Sequence, residues 1–408
     1  MIMPVLRTSV FGILAPACMT ALAAVVVIGC SAGNSPPSDA DPDTLPPSDG
    51  DGTVPSLHDP LSMPREPTLS PSNFNSATIC GSCHPNHYDQ WRTSMHAYAT
   101  QDPVWRALIA IRQTDFDGQR DQFCTQCHSA IGTRGGEINP GFSPEDFSPI
   151  VLEGITCEAC HKVSGMERIY NSGHILDETG PIRGPIEDPV ASSFHESKYS
   201  PLHDTSEFCG GCHDVVEQHG LNLERPFEEW VPSPAAAEGR NCQSCHMPTY
   251  RGKAASVGDV PERDNLHLHR FIGVDMPLTD DFITDPDLLK ELRAEVVQLL
   301  RSAGEIKIDT AASVSAGEQL DLMVTVRNLI DAHNLPTGAT FNRQLWVAVM
   351  VRDADGTLLY QTGHLDADGD LMNYLERIEP VRRRRLDRAV VPIRRRRGQP
   401  DRFPVVGR

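Results

Sequence analysis

The sequence predicts a domain of short α-helices and loops with almost no sheet, followed by a C-terminal antiparallel β-sandwich-like domain. Three observations predict it. The pattern Cys-x-x-Cys-His occurs five times between residues 80 and 246. The chain between the repeats is rich in Pro, Gly and Ser, as at 137–149 and 180–200, and aromatic residues are only 6% of the whole, so long regular elements are not expected there. Beyond residue 304 the apolar residues alternate with period two, as half-buried strands require.

Residues 1–29 read as a lipoprotein signal peptide. Arg7 gives a positive start, and 10–28 is largely apolar and ends in small residues. Val27-Ile28-Gly29-Cys30 resembles a bacterial lipobox, with Cys30 as the residue that would carry lipid. The alternative is an uncleaved membrane anchor, for which the apolar length is barely sufficient and Pro16 a poor fit. Residues 30–75 are mainly Ser, Pro, Asp and Gly, a composition that stays a disordered tether because it has too little apolar surface to bury. Ser31, following Cys30 directly, resembles the sorting position of outer-membrane lipoproteins.

Residues 76–275 contain all five motifs: Cys80, Cys83 and His84; Cys124, Cys127 and His128; Cys157, Cys160 and His161; Cys209, Cys212 and His213; Cys242, Cys245 and His246. Two thiols three positions apart can each form a thioether to one porphyrin edge, and the adjacent imidazole then lies beneath the iron, which is the signature of c-type haem. Structural zinc also uses Cys-x-x-Cys pairs, but it does not require a His after each second Cys. With 16 His in 408 residues, five such coincidences are on the order of one in ten million. Of 12 Cys, ten lie in motifs, and Cys18 and Cys30 are N-terminal, so no disulfide framework remains. Five haems on this stretch leave roughly 40 residues each, too few for a conventional core, so the haems themselves form most of it.

A connecting helix is expected at 276–304. Asp285 caps it, Pro286 takes its first position, Leu288, Leu289, Leu292, Val296, Leu299 and Leu300 fall on one face, and Gly304 stops it. The β-sandwich-like domain spans 305–380, with alternating segments at 305–309, 320–327, 345–351 and 358–362. The tail at 381–408 holds eleven Arg and two Asp in a chain of net charge −19. It reads either as a basic patch for an anionic partner or as a misread C-terminus.

Five proximal His leave eleven others, of which His58 lies in the tether. The surplus suggests mostly bis-His irons, which suit electron transfer, whereas catalysis needs an open position.

The segments Cys80-Gly81-Ser82-Cys83-His84-Pro85, Gln90-Trp91 and Ser94-Met95-His96-Ala97 resemble the cytochrome c-554 type of multihaem cytochrome. So do Ser200-Pro201-Leu202-His203, Glu207-Phe208-Cys209, Glu228-Glu229-Trp230 and His269-Arg270-Phe271-Ile272-Gly273. The resemblance covers roughly residues 76 to 365. It implies that His distant in sequence cap neighbouring haems, and it singles out His96, His195 and His203, His269 in preference to His267, and His333. His333 opens His333-Asn334-Leu335-Pro336-Thr337-Gly338, similar to a loop in the β-domain of many multihaem cytochromes; a distal ligand and a structural loop are both open readings of it. His174, His219 and His364 are reserves, His87 is a packing or surface residue, and Trp91, Trp105 and Trp230 are haem-packing aromatics.

The expected function is electron transfer through five c-type haems by an exported, lipid-anchored protein of the bacterial outer membrane, with redox proteins and the lipid bilayer as partners. Strong negative charge excludes nucleic acid, favours basic partners and favours the oxidised irons, so low potentials are expected. The alternative is an oxidoreductase acting on a small nitrogen or sulfur compound at one five-coordinate haem.

Overall fold

The computed structural model describes residues 67–118, 122–217, 220–279, 281–313, 315, 321–352, 355–367 and 371, and the backbone of 6–9 and 23–32. Two strands come first, β1 (Leu6–Ser9) and β2 (Ala23–Ala32), paired antiparallel. Cys30 lies on β2; its side chain, the tether between 33 and 66, and the Arg-rich tail are outside the described residues. The chain divides into two compact units, one of Ser31–Leu300 with Ile330–Gln344, the other of Ile2–Cys30, Arg301–Leu329 and Leu345–Arg408.

The first unit is built from short helices: α1 (Ala77–Gly81), α2 (Pro85–Trp91), α3 (Met95–Tyr98), α4 (Pro103–Asp115), α5 (Gln122–His128) and α6 (Ala130–Arg134). There follow α7 (Pro149–Leu152), α8 (Cys157–His161), α9 (Ser206–His213), α10 (Pro226–Trp230), α11 (Pro234–Ala237), α12 (Cys242–His246) and the long α13 (Pro286–Ala303). Their starts are written in the sequence. Proline opens α2, α4, α7, α10, α11 and α13, where its fixed φ suits the helix and its missing N–H costs nothing. Ser76, Ser94, Asp102, Ser129, Thr205, Ser233 and Asn241 accept hydrogen bonds from first-turn backbone N–H groups as N-caps.

Apolar burial is split into small clusters. One joins Phe74, Ile131, Val163 and Leu176; a second joins Trp105, Ile109, Ile138, Phe147 and Val151; a third joins Ala77, Trp91 and Ala97. Two carboxylates, the half-buried Glu153 and the buried Glu158, link them. Glu153 accepts from the Ala77 N–H at 2.9 Å, from Thr156 at 2.7 Å and from Ser76, and Glu158 accepts from the Asn75 backbone and side chain, both at 2.9 Å. These bonds fix the start of α1 against α8, so the first and third motifs are neighbours.

The near absence of sheet expected in this unit is corrected. Four two-stranded sheets are present: β3 (Val163–Met166) with β4 (His174–Leu176), β5 (Ile182–Gly184) with β6 (Ser197–Tyr199), β7 (Val215–Val216) with β8 (Asn222–Glu224), and β9 (Thr249–Lys253) with β10 (Glu262–His267). Most are two to five residues long, too short for alternation to register in the sequence, and β5–β6 is a parallel pair.

In the second unit β11 (Gly304–Thr310) and β12 (Leu322–Asn328) form a hairpin in unbroken register from Gly304↔Asn328 to Thr310↔Leu322. β13 (Arg343–Arg352) and β14 (Leu358–Thr362) belong to a separate four-stranded sheet, ordered β1-β2-β13-β14. The strand segments lie close to their expected places, but the described strands make two sheets with N-terminal strands in one, rather than a shown sandwich: alternation marks a strand without marking its partner. Among the described residues, no helix is long and apolar enough to cross a membrane.

Candidate prosthetic-group sites

Each motif is wound into one helical turn, which brings residues i, i+3 and i+4 to one face. α5, α8, α9 and α12 each end on the motif His, and the first motif spans the junction of α1 and α2. Four of the five imidazoles are then oriented identically. Nδ1 of His84 donates to the Ala254 carbonyl at 2.6 Å, that of His128 to Ala99 at 2.9 Å, that of His161 to Arg183 at 2.6 Å and that of His246 to Ile272 at 2.7 Å. A carbonyl only accepts, so the proton is on Nδ1 and the lone pair of Nε2 is presented, the arrangement that a metal-bound His adopts. The Arg183 carbonyl comes from β5, which shows what one short strand is for.

A second imidazole stands opposite most of them. Ring centroids are 6.2 Å apart for His84 and His195, 6.1 Å for His213 and His96, and 6.3 Å for His246 and His333. His161 has two such neighbours, His203 at 5.9 Å and His269 at 6.2 Å. Two imidazoles sharing one metal through bonds of about 2 Å each have centroids roughly 6 Å apart, so these pairs fit haem iron between them. Burial and neighbouring His push His96 and His203 down to about 3 and His269 well below the usual range, which keeps each neutral, as a ligand must be. The Nδ1 of His96 is buried and has no hydrogen-bond partner among the described residues.

The second motif differs. Opposite His128 no imidazole is paired among the described residues; the Trp105 ring lies 5.4 Å away at 23°. Trp105 is 4% exposed, and its indole N–H has no partner. His203 and His269 both converge on His161, and neither is paired with His128 among the described residues. His203 donates from Nε2 to the Cys160 carbonyl at 3.1 Å, whereas His269 donates from Nδ1 to the His267 carbonyl at 2.8 Å and keeps Nε2 available. His267 itself donates to the Met247 carbonyl at 2.8 Å.

The reserves are placed as follows. His174 is buried, donating from Nε2 to the Phe208 carbonyl at 2.7 Å, and His364 is in the second unit. His219 is outside the described residues. His87 packs edge-on to His269 at 4.8 Å.

The thiols give the order of the motifs in space. Those of Cys80 and Cys157 hydrogen-bond to each other, as do Cys127 with Cys212 and Cys209 with Cys242. The first motif therefore adjoins the third, and the fourth adjoins both the second and the fifth. Burial pushes Cys160 up to about 12 and also raises Cys124, so these two thiols are protonated at neutral pH. Among the described residues, no cluster of three or more His, Cys, Asp or Glu is arranged to hold a bare metal ion.

One strip, 267–272, serves three sites, which spacing alone did not reveal. His269 faces His161, the Phe271 ring packs 4.2 Å from His96, and the Ile272 carbonyl accepts from His246. Phe271 adopts a left-handed φ of 49°, unusual for a bulky residue. The strip is held by Gln90, whose side chain accepts from the His269 N–H at 2.8 Å, and by Arg270, paired with Glu291 at 3.0 Å and Glu295 at 2.5 Å on α13.

Residues 79–162 match the family model described as Cytochrome c554 and c-prime. That stretch contains the first three motifs whole and indicates c-type haem and electron transfer. No curated protein and no solved structure matches the chain.

Proposed function

We propose that this chain is a pentahaem c-type cytochrome that carries electrons, exported and held at the bacterial outer membrane by lipid on Cys30. The observation that carries the reading is the set of facing imidazoles, 6.1–6.3 Å apart, at four of the five motifs. The haem at each motif supplies a one-electron iron couple when bound. The chain's own residues do the rest. The ten motif Cys anchor the groups, and carbonyls of Ala254, Ala99, Arg183 and Ile272 hold four proximal rings. His195, His269, His96 and His333 close the first, third, fourth and fifth sites. A net charge of −19 favours basic redox proteins as partners, met by electrostatic steering, and disfavours nucleic acid.

A second reading applies to one site. Trp105 in place of a facing His at His128 favours an open iron there, able to take a small nitrogen or sulfur compound. Haem counting by pyridine haemochrome with electron paramagnetic resonance of the oxidised protein tests both readings. Five haems, mostly low-spin, with one high-spin signal that responds to nitrite or cyanide, are expected. Fewer than five haems would overturn the electron-carrier reading as stated, and five unresponsive low-spin haems would overturn the open site.

A further inference from the structure

We propose that Glu229 is the positioning residue that makes His333 a ligand at the fifth motif, an inference that rests on the reading of His246 and His333 as an axial pair. His333 is far from His246 in sequence and sits on a loop, yet its ring lies 6.3 Å and 17° from the His246 ring. The hold comes from α10. One carboxylate, Glu229, accepts three hydrogen bonds from the loop: from the Asn334 backbone N–H at 3.0 Å, from the Asn334 side-chain amide at 2.6 Å and from the Thr337 hydroxyl at 2.7 Å. Asn334 in turn holds the imidazole, because its carbonyl accepts from His333 Nδ1 at 2.9 Å, which leaves Nε2 as the lone-pair nitrogen. Grip and ring thus meet at a single residue.

The other ties of the loop are weaker or further away. Ala235 N–H donates to the Asp331 carbonyl at 3.2 Å, and the Arg240 guanidinium pairs with the Asp331 carboxylate where both side chains are well exposed, a setting in which ion pairs contribute little. The Glu229 contacts are part-buried and have an ionised acceptor, which strengthens each of them. A glutamine loses the ionised acceptor, and its amide would point N–H at the Asn334 amide N–H unless that amide turns over.

The test uses the full-length, haem-loaded protein and counts haems per chain that bind carbon monoxide when reduced, alongside total haem. His333→Ala is expected to add one such haem to the wild-type number, with five haems retained. Glu229→Gln is expected to raise the population of that newly open haem at least about tenfold over wild type, and Thr337→Val, which removes one bond and no charge, roughly two- to tenfold. Added imidazole should return the low-spin spectrum in Glu229→Gln, since an outside ligand replaces a ring that has swung away. If His333→Ala opens no haem, the axial pairing itself is wrong and the proposal falls with it. If His333→Ala opens one but Glu229→Gln and Thr337→Val both keep the wild-type count, the pairing stands and Glu229 has no positioning role.

Discussion

The second and fifth motifs are the same pattern in the same helical turn, each with its proximal Nδ1 bonded to a distant carbonyl, yet what faces them is different. Across from His246 stands His333, delivered by a loop clamped to α10; across from His128 stands the buried Trp105 of α4. The motif therefore fixes attachment and the proximal side alone. Whether the iron is closed for electron transfer or open to a ligand depends on which remote segment packs against it, and the fold decides that separately for each site.

The largest effect that bears on this contrast is expected from Cys124→Ser with Cys127→Ser. The protein should lose one haem of five by intact mass, and the ligand-responsive signal should vanish with it; a responsive signal that survives would place the open iron elsewhere. Next comes Trp105→Ala. Its indole is buried among Ile109, Ile138, Phe147 and Val151, so thermal or denaturant unfolding should show a loss of about 3–5 kcal/mol, together with altered ligand binding at that haem only.

A smaller effect is expected at the third site, where the Arg183 carbonyl orients His161 while its guanidinium pairs with Asp177 at 2.7 Å. That guanidinium holds the Asp177 carboxyl below its ordinary value. A lowered folded value means stability that is present above the unfolded pKa of about 3.9 and lost as pH falls through the folded value. Asp177→Asn should therefore cost about 0.5–1 kcal/mol at neutral pH and remove that part of the acid-side loss, as read by urea unfolding across pH. The smallest expected effect is none: His219→Ala should leave the number of ligand-binding haems unchanged, and an iron that opens only in that variant would show that His219 is a cap and the open-site reading at His128 is wrong.

Attachment residues and helix starts were legible because both are local. A Cys-x-x-Cys-His turn, a Pro at a first helical position or a Ser cap needs only its neighbours, and α13 begins at the Pro286 that its sequence marks. The facing His were only half legible. His96, His195 and His333 each stand opposite a motif His, but the sharing of His161 by His203 and His269 depends on long-range packing that no spacing encodes. Strand pairing was legible only where it is local: β13 pairs with the nearby β14, while its place beside β2 is set by residues more than 300 positions away. Glu229 stood out only as part of Glu228-Glu229-Trp230; that its carboxylate meets three donors of the 334–337 loop is a long-range contact that no spacing encodes.

The strip at 267–272 has a consequence for how this chain can change length. Exposed stretches such as 190–194 can gain or lose residues at little cost, since closure entropy grows only slowly with loop size. The strip has no such freedom. One inserted residue moves everything after it by about 3.5 Å, and between His269 and Ile272 that step would separate the Ile272 carbonyl from His246, lift Phe271 off His96 and draw Arg270 away from α13. Three sites would be altered by a single insertion, so descendants of this sequence should vary in length in the exposed stretches between the motifs before they vary here.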